Sequence, residues 1–274
     1  MGYESFYKLK THPFSFATDE KFYYDSPQHS KALIKTSHAV ETDKGLALLI
    51  GDIGTGKTTL SRRLLDQLIN KGVEATLLVI IHSEITSLWF LKKIALMLDA
   101  ASDSENKIEI ITAVYHRLVD LSGKNKKGVI LIDEANMLQR KEIMEEIRGL
   151  LNLESEHGKL LNFVLFGLPE MEDYLKLDPP LYQRVAVRCV LEPLDSRASI
   201  NYINHRLHVA GCRRSLFTEE AMKNIYMYSH GIPRTINAIC DNALLEGFLL
   251  KRDVVDEKIV DDVSHDLGLT SQER

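Results

Sequence analysis

Several things are missing from this chain, and each absence excludes a class. No apolar run approaches the ~18–20 residues that a bilayer-spanning helix needs. The first residues carry no apolar signal segment either. These two absences predict a protein that neither crosses a membrane nor is exported. Cysteine is scarce: Cys189, Cys212 and Cys240 are an odd number without metal-ligand spacing. They read as buried thiols in a reducing, cytoplasmic compartment rather than as disulfides or zinc ligands. Basic charge is not in excess. The net charge is −5, so no overall positive field announces nucleic acid or an anionic surface, although a local patch remains open. Internal repeats and low-complexity tracts are lacking as well.

What is present is ordinary globular material with one highly specific feature. The 274 residues suffice for an α/β core and a smaller domain. Directly after the apolar run Leu46–Ile50 comes Gly51-Asp52-Ile53-Gly54-Thr55-Gly56-Lys57-Thr58. It fits G-x-x-x-x-G-K-[ST], with a strand pattern before it and the helical pattern Leu60, Leu64, Leu65, Leu68 after it. The glycines let the backbone curl so that N–H groups converge on a phosphate at a helix N-terminus. Gly51, Ile53, Gly54, Thr55, Gly56, Lys57, Thr58 and Thr59 are the expected nucleotide contacts. Lys57 supplies charge at the β- and γ-phosphates, and Thr58 a hydroxyl for Mg²⁺. A nucleoside triphosphate is the implied ligand.

A second motif, Gly128-Val-Ile-Leu-Ile-Asp133-Glu134, is an apolar run ending in two carboxylates. Such a run reads as a strand buried on both faces of a parallel sheet. At its C-terminal edge Asp133 can hold the Mg²⁺ shell, and Glu134 can polarise the attacking water. A plain strand end followed by an acidic helix start is the alternative. The P-loop ~75 residues upstream weighs against that alternative, and the Asp-Glu pair, rather than Asp followed by an apolar residue, favours hydrolysis.

Strand patterns at Leu46–Ile50, Ala75–His82, Val129–Asp133, Leu161–Phe166 and Ala186–Leu191 alternate with helical ones at Thr58–Lys71, Ile85–Leu98, Ile108–Leu121 and Leu138–Leu153. Such alternation predicts a parallel five-stranded sheet covered on both faces. Beyond Pro193 only helical patterns follow, at Asp195–Ala210, Thr218–Ser229, Pro233–Leu250 and Asp256–Leu267, which puts a boundary near Glu192–Leu194. The basic loop Gly123–Gly128 reads as a solvated turn rather than a nucleic-acid contact.

A P-loop core followed by a small helical lid is the architecture of AAA+ ATPases, and over nearly its whole length the chain resembles their general secretion pathway protein A (ExeA-type) group. The resemblance rests on Phe6-Tyr7-x-Leu9, Pro13-Phe14, Asp19, Phe22-x-Tyr24, Ser26 and His29 at the start, running into a helix at Ala32-Leu33. It continues through Leu181-Tyr-Gln-Arg184-Val185, Glu192-Pro-Leu194 and Tyr202-x-x-x-Arg206-Leu207. Leu216-Phe-Thr218, Gly231-Ile-Pro-Arg234 and Asn237-x-x-Cys240-Asp241-x-Ala243-Leu244 complete it. The resemblance implies ATP and Mg²⁺, and three parts: residues 1–42 packing on the nucleotide site, a core at 43–192 and a lid at 193–274. Arg234 resembles the sensor-2 arginine, which reaches the γ-phosphate. Arg184 or Arg188 resembles the arginine finger acting on a neighbouring subunit, with Arg184 preferred because Arg188 lies inside a strand pattern and suits a structural pair. Phe14, Tyr24 and His29 are expected over the adenine side, or else in the core.

One departure stands out. The group carries Gly-Gln-Pro-Glu after the fourth strand, its Gln serving as sensor 1; here Gly167-Leu168-Pro169-Glu170 stands. Leucine cannot hydrogen-bond a water or phosphate. Either Asn162 or another polar group substitutes, or turnover is slow. The resemblance further implies a homo-oligomer, ring or filament, assembled with nucleotide. Ending shortly after the lid, the chain reads as either an excised domain or a stand-alone member; stand-alone relatives resemble transposon-encoded regulatory ATPases, so a transposase on duplex target DNA is the expected partner. A secretion or pilus assembly apparatus, or an ATP-bound scaffold with negligible hydrolysis, are the alternatives.

Overall fold

The computed structural model describes residues 2–15, 19–100, 103–156 and 158–270. A parallel sheet forms from β1 (Leu46–Gly51), β2 (Glu74–Val79), β3 (Gly128–Asp133), β4 (Leu161–Gly167) and β5 (Val185–Leu191), in the order β2-β3-β4-β1-β5. Side chains alternate across the pleat, so each strand feeds two cores. Leu46, Leu48, Ile50, Ile130, Ile132, Phe163 and Leu165 face the helices Ser87–Met97, Lys107–Gly123 and Lys141–Leu150. Ala47, Leu49, Val129, Leu131, Val164 and Phe166 face the helices Pro27–Glu41 and Lys57–Asn70. β1, β3 and β4 are buried throughout, which is why their sequences are almost wholly apolar, with Asn162 in β4 and Asp133 at the end of β3 as the polar exceptions.

Two expected boundaries move, for identifiable reasons. β2 stops at Val79 rather than His82, because its partner β3 ends at the Val79↔Asp133 pair and the chain then turns away. The helix expected over Leu138–Leu153 covers Lys141–Leu150 only. Before it, a 3₁₀ turn at Ala135–Met137 takes the chain out of the strand. After it, Glu154–Ser155 pairs antiparallel with Gly158–Lys159 in a small hairpin.

Contacts divide the chain into two compact units: residues 27–53 with 57–191, and residues 1–26 with 54–56 and 192–274. The first is the sheet unit. The second is helical, built on Ser196–Val209, Glu219–Ser229, Pro233–Leu249 and Glu257–Asp266. Asp195, Thr218 and Asp256 cap three of these helices, each accepting a backbone N–H from the first turn. Gly231 (φ +74°) precedes the fourth, and there a Cβ would sit 1.8 Å from the Leu194 carbonyl oxygen, so only glycine fits.

The stretch 1–42, expected as one segment, divides at Ser26/Pro27. Its first part supplies Tyr3, Tyr7, Leu9, Phe14 and Phe22 to the helical core. Phe14 packs edge-on to Phe217 and Tyr24 to Tyr202, so both rings belong to that core. Buried Arg206 ties the strap down, donating to the Pro13 and Ser15 carbonyls and to the Tyr202 hydroxyl. His29 is buried in the helix Pro27–Glu41 of the sheet unit. The three cysteines are free and buried, and burial pushes the Cys189 and Cys240 thiols up. The basic loop is a neutralised turn: Lys124 meets Asp120, Lys126 meets Glu74 and Lys127 meets Asp43. Among the described residues, no helix is long and apolar enough to cross a membrane.

Candidate active site

β1 runs straight into the P-loop, and the helix Lys57–Asn70 leaves it. Gly54 (φ +84°) and Gly56 (φ +104°) take the left-handed conformations that curl the loop. Thr55 is buried, Thr58 and Thr59 are half-buried, and Ile53 is exposed. The buried Lys57 amino group donates to the Gly51 (2.7 Å) and Asp52 (2.9 Å) carbonyls, which aims it back across the loop. Burial pushes its pKa down, while the Glu134 and Asp133 carboxylates pull the other way.

Asp133 ends β3 fully buried. Ser61 Oγ bonds to it at 3.4 Å, and the same hydroxyl bonds the Thr58 carbonyl at 3.0 Å. Ser61 is thus a link between the P-loop helix and the carboxylate strand that motif reading missed. Its signal was one turn of helical spacing from Lys57.

Among the described residues, no three His, Cys, Asp or Glu side chains cluster to hold a metal. Mg²⁺ takes one or two carboxylates and otherwise oxygens of its nucleotide. Asp133 and the Thr58 hydroxyl fit that role. Glu134 follows in a left-handed conformation (φ 54°), rare for a non-glycine residue, with its N–H on Asp133 Oδ1 (3.1 Å).

Three arginines remain. Arg234 opens the helix Pro233–Leu249; its N–H donates to the Gly54 carbonyl at 3.3 Å, and both residues belong to the second contact unit. Arg188 is held in a structural pair, 2.8 Å from the Tyr182 hydroxyl, stacked 4.2 Å over its ring and 3.6 Å from Glu172. Arg184 is half-exposed and donates to Asn152 Oδ1 and the Arg148 carbonyl. It precedes β5, whose Val185 pairs with Leu46, so it lies at the sheet edge opposite the P-loop.

Asn162 does not replace the missing sensor. It starts β4, where its Oδ1 accepts the Gly45 N–H (2.9 Å) and its Nδ2 donates to Asp43 (3.3 Å), at the edge away from the P-loop. The polar side chain beside Leu168 is instead Asn136, buried in the turn after Glu134, whose Oδ1 accepts the Leu168 N–H at 3.1 Å.

A family model described as an AAA domain matches residues 40–175. The chain is 36% identical over 250 residues to general secretion pathway protein A of Aeromonas hydrophila, covering 90% of this chain and 45% of that protein. Among solved structures it is similar to Drosophila ORC bound to DNA, with a TM-score of 0.70 and 17% identity over 94% of this chain and 65% of that one. It is likewise similar to Cdc6p of Pyrobaculum aerophilum, with a TM-score of 0.69 and 16% identity over 93% and 70%. At such identities the likeness shows the fold alone. Fold and site define a P-loop ATPase of the AAA+ class. Within it the chain belongs to the general secretion pathway protein A (ExeA-type) group, spanning 45% of the length of the curated relative it matches.

Proposed function

We propose that the chain binds ATP with Mg²⁺, hydrolyses it slowly, and uses the bound nucleotide to govern its assembly and its grip on a partner. The observation that carries this is a curled glycine loop between strand and helix, with the buried Lys57 ammonium folded back onto the Gly51 and Asp52 carbonyls and Asp133 buried at the end of β3. Lys57 neutralises phosphate charge. Glu134 orients and deprotonates the attacking water, and Arg234 follows phosphate position from the helices that act as a lid. Thr58 and Asp133 would hold Mg²⁺, which would supply charge neutralisation at the phosphate oxygens. Arg184 completes the site of an adjacent copy in a homo-oligomer.

Slow turnover is read from Leu168, which offers no hydrogen bond where the group has Gln. Leu168→Gln should raise turnover by about tenfold. An unchanged rate would remove the basis for a switch and leave ordinary hydrolysis. A rate that is negligible in both proteins would leave the ATP-bound scaffold.

Two partners suit such a switch. A secretion or pilus assembly apparatus, met from the cytoplasmic side, is favoured by the similarity to general secretion pathway protein A along 90% of this chain. A transposase on duplex target DNA is the other. ATP turnover of the full chain, with and without duplex DNA at low salt and with Lys57→Ala as the blank, separates them. Low salt matters because phosphate contacts weaken steeply as salt rises. DNA stimulation that requires nucleotide supports the transposase reading. Turnover indifferent to DNA supports the envelope reading, and turnover equal to the Lys57→Ala blank overturns hydrolysis altogether.

A further inference from the structure

In a chain of net charge −5, six exposed cations gather at one end of the helical unit. They come from three segments far apart in sequence. Lys8 and Lys10 lie in the strap after the helix Tyr3–Tyr7, Arg213 and Arg214 after Ser196–Val209, and Lys251 and Arg252 after Pro233–Leu249. Hydrogen bonds hold the segments together. The Lys10 N–H donates to the Ala210 carbonyl (2.8 Å), the Tyr7 hydroxyl to the Arg252 carbonyl (3.0 Å), and the Val255 N–H to the Leu216 carbonyl (2.8 Å). The Lys10 stem lies against Gly211, where a Cβ would meet it at 2.9 Å. Unlike the neutralised lysines of the 124–127 loop, these six form one ion pair among the described residues, Arg214 with Asp253 at 3.6 Å.

Apolar surface adjoins the cations. Leu249 (62% exposed) and Leu250 (54%) stand directly before Lys251, Leu245 one turn earlier on the same helix, and Val254 just after Asp253. A nucleic-acid backbone would pair with the cations and leave these aliphatic side chains in a polar setting. An anionic bilayer surface satisfies both. Headgroup phosphates meet the cations, and the leucines enter the boundary between headgroups and acyl chains.

We propose that this end of the helical unit is a peripheral docking surface for an anionic lipid bilayer, with the six cations on headgroup phosphates and Leu249 and Leu250 entering the acyl boundary. None of these residues belongs to the nucleotide site, so docking does not depend on the ATPase reading.

The test is flotation of the full chain with phosphatidylcholine vesicles, with and without phosphatidylglycerol, alongside binding to a duplex DNA at the same salt. Binding is expected only to the vesicles with phosphatidylglycerol. Lys251→Glu with Arg252→Glu should weaken it by about tenfold or more, and Leu249→Ser with Leu250→Ser by about tenfold. ATP turnover is expected to stay unchanged in both. Lys8→Glu with Lys10→Glu, from a different segment, repeats the charge test if the first pair does not fold. No flotation with phosphatidylglycerol, or flotation insensitive to either pair, overturns the proposal. So does charge reversal that abolishes DNA binding while vesicle binding persists, which would make this a nucleic-acid surface.

Discussion

Glu134→Gln is expected to leave ATP binding intact while cutting turnover by about 100-fold or more, the scale of a lost general base. The backbone at Glu134 argues that its side chain is there for chemistry. A left-handed conformation costs a non-glycine residue about 1–2 kcal/mol, and here it is pinned from both sides. The Glu134 N–H is held by Asp133 Oδ1 at 3.1 Å, and its carbonyl accepts the Met137 N–H at 2.9 Å. Glutamine keeps the shape and loses the basicity. Glycine removes strain and carboxylate together, so Glu134→Gly should be as inactive as Glu134→Gln yet about 1 kcal/mol more stable. Nucleotide titration, turnover and thermal unfolding of the two variants separate these effects. Full turnover in Glu134→Gln would assign the water to another group, and a destabilised Glu134→Gly would show that the carboxylate is structural.

The sheet was legible because burial on two faces leaves little room for polar residues: β1, β3 and β4 are apolar but for Asn162 in β4 and the terminal Asp133 of β3, and each ends where a functional group or turn begins. Helix starts were legible to within a residue at Asp195, Thr218 and Asp256, each of which marks its helix with a capping side chain. The first 26 residues were not. Their aromatic residues follow neither helical nor strand spacing, and Tyr3, Tyr7, Phe14 and Phe22 join the helical core through contacts roughly 200 residues away in sequence, such as Tyr7 with the Arg252 carbonyl.

The site shows the same split. P-loop and carboxylate strand announce themselves because phosphate chemistry prescribes both residue type and interval. Ser61 and Asn136 belong to no such interval; only the approach of the Lys57–Asn70 helix to β3, and of the turn after Glu134 to the end of β4, reveals them. Asn162 illustrates the converse error. Polar and adjacent to the right strand, it sits at the wrong end, a distinction that requires register and not composition.

Direction along the strands also decides what Arg184 can do. β1 and β5 run parallel, with Leu46 beside Val185 and Gly51 beside Leu191. Arg184, one residue before Val185, is therefore about six residue rises, or ~20 Å, from the edge where the P-loop begins. An arginine side chain cannot span that distance, so a role in hydrolysis must be played on another copy's nucleotide. Arg184→Ala should lower turnover by about 1,000-fold or more while ATP binding to the isolated chain is unchanged. Its complement is sharper. In a one-to-one mixture with Glu134→Gln, Arg184→Ala subunits keep a complete carboxylate site and receive Arg184 from their neighbours. With random mixing about a quarter of the interfaces then become productive, so two nearly inactive proteins should recover about a quarter of the wild-type rate. Recovery should require concentrations at which light scattering shows assembly with ATP. A mixture as inactive as its components, despite co-assembly, would remove Arg184 from the neighbouring site. The bonds to Asn152 and the Arg148 carbonyl would then be its whole role, tying the start of β5 to the end of the Lys141–Leu150 helix.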